Sequence, residues 1–91
     1  MIKTILNFSE AETVQDIHGI LKEALQFPEY YGENLDALYD CLTDLAEDTA
    51  VGFCQRSDES DAAAYLEKVK RVFMDAEADN PHLAVFFLSG K

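Results

Sequence analysis

The sequence predicts an α/β fold in the order β-α-α-β-α-β. Three short apolar runs with strand character are separated by longer segments that repeat their apolar residues at helical spacing. Strands divided by helices must be joined by crossovers, so the natural solution is a small parallel sheet with right-handed connections. The chain has 91 residues, two Pro, four Gly, no internal repeat and no low-complexity stretch, and is expected to form one domain over residues 1–91.

The first strand is read from Ile2 to Phe8, where Ile2, Ile5, Leu6 and Phe8 are apolar. Thr13 and Asp16 have the spacing of a capping box, so a helix should begin there. Val14, Ile17, Ile20, Leu21, Ala24 and Leu25 then share one helical face until Pro28 stops it. The loop Phe27-Pro28-Glu29-Tyr30-Tyr31-Gly32-Glu33 follows, and Asn34 is a good N-cap for a second helix. Thr49–Cys54, with Val51 and Phe53, suggests a second strand, and Gln55–Asp61 reads as a polar loop. Tyr65, Leu66, Val69, Val72, Phe73 and Ala76 mark a third helix, from near Ser60 to around Asp79–Pro81. The run Leu83–Leu88 has no polar alternation, which suits a strand covered on both faces or packed centrally.

Charge is the first functional clue. Eighteen acids against seven bases give a net charge of −11. Such a field repels nucleic acid and anionic membranes and favours a basic partner. From Glu23 to Gln55 there are eight acids and not one Lys or Arg. With Leu35 at zero and about 100° per residue, Leu38, Leu42 and Leu45 cluster at about 280–340°. Asp36, Asp40, Thr43 and Glu47 fall at about 80–140°, nearly opposite, and Tyr39 lies between. Asp36 and Asp40 form a like-charge i, i+4 pair, and Asp44, Glu47 and Asp48 stand where the helix dipole disfavours anions. A helix selected for its own stability would place Lys or Arg there. Tyr30, Tyr31 and Tyr39 flank the acids, and tyrosine is enriched at interfaces. Carboxylates along a helix with aromatics beside them resemble phosphates with bases beside them, and arginine grips both anions with one fork. The face therefore fits a basic groove built for nucleic acid.

Other chemistries find little support. Asp36 and Asp40 have no His, Lys or Arg close in sequence, as general acid–base work would need. His18 borders the apolar stripe of the first helix and reads as a packing residue, and His82 follows Pro81 in a loop. Cys41 and Cys54 lack CxxC spacing and basic neighbours and read as reduced thiols. Asp58-Glu59-Ser60-Asp61 lacks the ligand order of a calcium loop, so neither metal nor cofactor is expected. Met1–Phe8 carries one Lys and a short apolar run, so no secretory signal is expected, and a cytoplasmic location follows.

The sixteen residues Pro28-Glu29-Tyr30-Tyr31-Gly32-Glu33-Asn34-Leu35-Asp36-Ala37-Leu38-Tyr39-Asp40-Cys41-Leu42-Thr43 resemble the loop and inhibitory helix of the barstar family, intracellular inhibitors of barnase-type ribonucleases. Asp16-Ile17-His18 and Leu21-Lys22-Glu23 are similar too. The resemblance implies a non-enzymatic chain with a three-stranded parallel sheet and three to four helices. It implies a one-to-one complex with a basic ribonuclease, from a free monomer, with no nucleic acid or membrane bound. Carried over by position, Asp40 would occupy the enzyme's phosphate site and Asp36 would meet a neighbouring Arg. Tyr30 would stack on the catalytic His, with Gly32, Asn34, Leu35 and Thr43 lining the contact. Tyr39 stands where the family's type protein has Trp, Asp44-Leu45 where it has Gly-Trp, and Asp75 where it has Glu. These rim departures leave a second reading open: an immunity protein for a different nuclease toxin, or an acidic interaction module on the same fold.

Overall fold

The computed structural model describes residues 2–29, 31–54 and 60–88. Its elements are β1 (Ile2–Leu6), α1 (Val14–Leu25), α2 (Leu35–Thr43), β2 (Thr49–Cys54), α3 (Asp61–Asp79) and β3 (Leu83–Leu88). The expected order β-α-α-β-α-β is therefore the observed one. The first strand stops at Leu6, and the polar loop expected at Gln55–Asp61 lies largely outside the described residues.

Helix ends follow local chemistry. The Thr13 hydroxyl accepts from the Asp16 N–H at 3.0 Å, and the Asp16 carboxylate accepts from the N–H groups of Glu12 and Thr13 at 3.0 and 3.2 Å. These bonds, the one from Glu12 foremost, hold the Asp16 carboxyl below its ordinary range. At the other end of α1, Gln26 turns left-handed (φ 56°) and the Phe27 N–H bonds to the Lys22 carbonyl at 3.0 Å. Ser60 caps α3 by accepting from the Ala63 N–H at 3.1 Å.

The three strands are parallel in the order β1-β2-β3, with Val51 of β2 beside Thr4 and Val85. That order advances one strand at a time, so two crossovers of one hand place every helix on the same face. The core lies between this helical layer and the sheet. Leu6, Val51, Phe53 and Leu83 meet Ile17 and Leu21 of α1, Leu38 and Leu42 of α2, and Leu66, Val69, Phe73 and Ala76 of α3. Phe53 is its hub, edge-on to Phe73 at 4.8 Å between ring centres and beside Phe8 at 6.1 Å.

β3 is an edge strand and is not covered on both faces, contrary to the reading of its apolar run. Leu83 and Val85 point to the core, and Phe87 lies 5.6 Å from the Phe53 ring. On the other face, Lys3, Ile5 and Ala84 are exposed. Half-buried Phe86 lies over Gly52 of the neighbouring strand, where an added Cβ would come within 2.5 Å of its ring. Phe86 thus finds its apolar cover within the sheet, which is why the run needs no second helical layer. The Glu77 carboxylate accepts the Val85 N–H at 2.8 Å and blunts the edge.

Because Phe53 is almost fully buried while Phe87 remains 43% exposed, their truncations should differ. Phe53→Ala should cost about 3–5 kcal/mol and Phe87→Ala less than half of that, as read from denaturant melts.

Candidate functional site

The loop before α2 is anchored by a buried polar contact. The Tyr31 N–H bonds to the Pro28 carbonyl at 3.0 Å, and its ring packs 4.9 Å from that of Phe27. Its hydroxyl lies 2.6 Å from Nδ1 of His18, whose Nε2 lies 2.7 Å from the Tyr65 hydroxyl of α3. His18 is fully buried. Burial lowers its pKa, against a raising influence from Glu33, and burial raises the pKa of both tyrosines. In a neutral imidazole one nitrogen donates and the other accepts, so two protonated hydroxyls satisfy it without any charge. One residue of α1 thereby ties the loop to α3. Tyr31 accordingly faces inward and does not flank the acids; Tyr30 lies outside the described residues.

The loop ends in a compact turn. Glu33 is left-handed (φ 54°), a conformation that strains a residue with a Cβ. The Asn34 Oδ1 accepts from the Ala37 N–H at 2.8 Å and caps α2, while its Nδ2 donates to the Gly32 carbonyl at 3.2 Å. An added Cβ at Gly32 would stand 3.2 Å from that Nδ2, so the turn favours the smallest residue.

Leu38 and Leu42 are completely buried, while Asp36, Asp40 and Asp44 are exposed. Among the described residues none of these three carboxylates has an ion pair. The hydroxyl of half-buried Thr43 donates back to the carbonyls of Tyr39 and Asp40 at 3.0 and 3.1 Å. Leu35 and Asp75 line one surface cleft together with Arg71 and Val72. The structure thus brings Gly32, Asn34, Leu35, Asp36, Tyr39, Asp40, Thr43 and Asp44 onto one loop and helix, with Asp75 beside them on α3.

Two neighbours escaped the sequence reading. The Tyr39 hydroxyl donates to the Asp79 carboxylate of α3. Asp79 follows Asp75 by four residues, a spacing that could have flagged it as part of the same acidic face. Asn80 donates to the carbonyls of Leu42 and Thr43 at the end of α2 and of Leu45 just beyond it; as a helix-ending Asn before Pro81 it gave no sign of that contact.

The site offers poor groups for covalent or metal chemistry. Burial raises the Cys41 pKa, with Asp44 and Asp40 adding to the effect, so it remains a thiol. Among the described residues no group of three or more His, Cys, Asp or Glu could hold a metal ion, and no helix is long and apolar enough to cross a membrane.

A family model described as barstar (barnase inhibitor) matches residues 1–88. The chain belongs to the barstar family. The match extends well beyond the segment 28–43 and takes in all six elements, and the barstar family is one of inhibitors, not enzymes. YrdF of Bacillus subtilis (strain 168), named there as a proposed ribonuclease inhibitor, is 51% identical over 43 residues, 47% of this chain and 47% of that protein. The matched region thus spans about half the length of that relative.

Two outcomes are expected of the isolated protein. The pKa of His18 lies below its unfolded value of 6.5. Its contribution to stability is therefore full above that pH and is lost as pH falls through the lowered folded value. Denaturant midpoints of the wild type should fall between about pH 8 and pH 5, and His18→Gln should flatten that slope. Asp40→Lys should leave the domain as stable as wild type or more so, by relieving like-charge repulsion, whereas Asp36 sits in the first turn where the dipole favours its charge. A loss above ~1 kcal/mol on Asp40→Lys would make that carboxylate structural.

Proposed function

We propose that the chain is an intracellular inhibitor that blocks the active site of a barnase-type ribonuclease with its loop and α2, whose carboxylates take the places of RNA phosphates. The observation that carries this reading is the charge geometry of α2 in a barstar-family chain. Asp36, Asp40 and Asp44 are exposed and without ion pairs among the described residues, opposite the buried Leu38 and Leu42, in a stretch that holds eight acids and no base.

Asp40 enters the phosphate site and meets the cations that otherwise bind RNA, and Asp36 pairs with an adjacent Arg. Tyr30 stacks on the catalytic imidazole. Gly32, Asn34, Leu35 and Thr43 form the wall of the contact, and their polar groups are largely engaged inside the turn and the helix, so the surface is pre-organised. Tyr39, Asp44 and Asp75 lie at the rim and set partner preference and association rate. The complex is one-to-one, and the free protein is a monomer.

A second reading has one observation in its favour. Tyr39 is linked to Asp79, which gives the rim a carboxylate pattern of its own, suited to an immunity protein for a related nuclease toxin.

Titration into a barnase-type ribonuclease, with RNA cleavage as readout, decides between them. Stoichiometric inhibition supports the first reading; none, from folded protein, moves the partner to another nuclease. Asp40→Ala should lose more than ~3 kcal/mol of affinity because it strands buried cations of the enzyme. An alanine scan that ranks Asp40 below Glu47 or Asp48 overturns the docking. Association should slow steeply with added salt, and a flat dependence would remove phosphate mimicry as its cause.

A further inference from the structure

The last carbonyl groups of any helix lack intrahelical partners. They are commonly satisfied by a left-handed glycine after the helix or by Lys and Arg in its last turn. The α2 helix has neither: its C-cap is Asp44 in right-handed conformation (φ −87°), and its last turn contains no base. Locally the Asp44 N–H reaches the Asp40 carbonyl at 3.1 Å and the Leu45 N–H only the Leu42 carbonyl at 3.4 Å, and the shorter contacts at the end come from another element. Asn80, only 4% exposed, directs Nδ2 to the carbonyl oxygens of Leu42 at 2.9 Å, Leu45 at 3.1 Å and Thr43 at 3.4 Å.

The orientation of this amide is set by its surroundings. Its Oδ1 accepts the His82 N–H at 2.9 Å, a bond that a flipped amide could not make, so the NH₂ must face the helix end. The backbone of Asn80 is tied at both sides, its N–H to Ala76 at 2.8 Å and its carbonyl to the Leu83 N–H at 3.1 Å. The same corner holds the chain beyond α2: the Thr49 N–H bonds to the His82 carbonyl at 2.8 Å, and the His82 ring pairs with Asp48 at 2.9 Å.

We infer that Asn80 is a positioning residue for the inhibitory helix: its buried amide fixes the C-terminal end of α2 without bringing a cation to the face that carries Asp40 and Asp44. This rests on the inhibitor reading above. A Lys or Arg could cap the same carbonyls, but its charge would pair with Asp44 and weaken the potential that the face presents. An amide supplies two donors and no net charge. The clamp holds Asp40 in place relative to α3, and its loss lets the last turn of α2 move while the charge of the protein stays the same.

The test uses the full chain and the Asn80→Ala and Asn80→Asp variants. Asn80→Asp keeps the shape but sets a carboxylate against the same three carbonyls, so it repels the helix end outright, while Asn80→Ala removes the donors with no change in charge and is the variant that reads the clamp itself. First, in the wild type, the Asn80 side-chain NH₂ should exchange with solvent far more slowly than the exposed Asn34 NH₂. In both variants the amides of Asp40–Leu45 should exchange faster while those of β2 do not. Second, binding to barnase as the probe should show dissociation about tenfold faster for Asn80→Ala, with association and its salt dependence within about twofold of wild type. A wild-type Asn80 amide that exchanges like an exposed one overturns the clamp without any variant having to fold. Folded variants with wild-type dissociation overturn its role in inhibition. Failure of wild type to bind barnase overturns the inhibitor reading together with that role, and the exchange experiment still judges the clamp separately.

Discussion

A nine-residue helix that carries two carboxylates, a third at its C-cap and no base cannot hold itself together. Helices this short are marginal in water even with favourable sequences. Like charges four apart and anions at the C-terminal end make α2 worse than marginal. Its order must come from the rest of the domain. Leu38 and Leu42 bury their whole side chains, at about 1.5–3 kcal/mol each. Asn34 closes the first turn, and Asn80 closes the last from α3. Neither Asp36 nor Asp40 is spent on anchoring the helix, which is the condition for their charges to be given to a partner.

The loop is held on the same principle. His18 accepts and donates through its two ring nitrogens to tyrosines of two other segments, and its neutrality makes the arrangement tolerable in the core. Neutral groups thus do the anchoring on both sides of α2: a histidine kept uncharged by burial and an asparagine amide. The charges are left at the surface, where water solvates them until a partner replaces it. Among the described residues left-handed backbone falls at the two ends of the loop, at Gln26 after α1 and at Glu33 next to the cap of α2.

Much of this was legible in the sequence because it depends on near neighbours. The capping box at Thr13 and Asp16, the stop at Pro28, the cap at Asn34 and the leucine stripe are all local patterns, and each appears where its spacing puts it. Contacts between distant positions were not legible. Asn80 is 35–38 residues from the carbonyls it meets, and Asp79 is 40 from Tyr39. The run Leu83–Leu88 misled for a similar reason: Phe86 is covered by the absence of a side chain at Gly52, in another strand. Tyr31 shows that an aromatic in an acidic loop can serve the core, because a histidine thirteen residues earlier waits for its hydroxyl. The charge asymmetry of Glu23–Gln55 needs no contacts to be seen, so the candidate face was the most readable part of the site.

The bare face of the sheet has a thermal consequence. A parallel sheet usually buries both sides, and this one leaves Ile5 and Ala84 in water. Hydration of newly exposed apolar surface is the source of the heat-capacity increment of unfolding, on average about 12–15 cal/mol/K per residue. Apolar area that is already wet in the folded state adds nothing to that increment. The domain should therefore fall below the average, and its free energy of unfolding should curve more gently with temperature than that of a two-sided α/β domain of equal length.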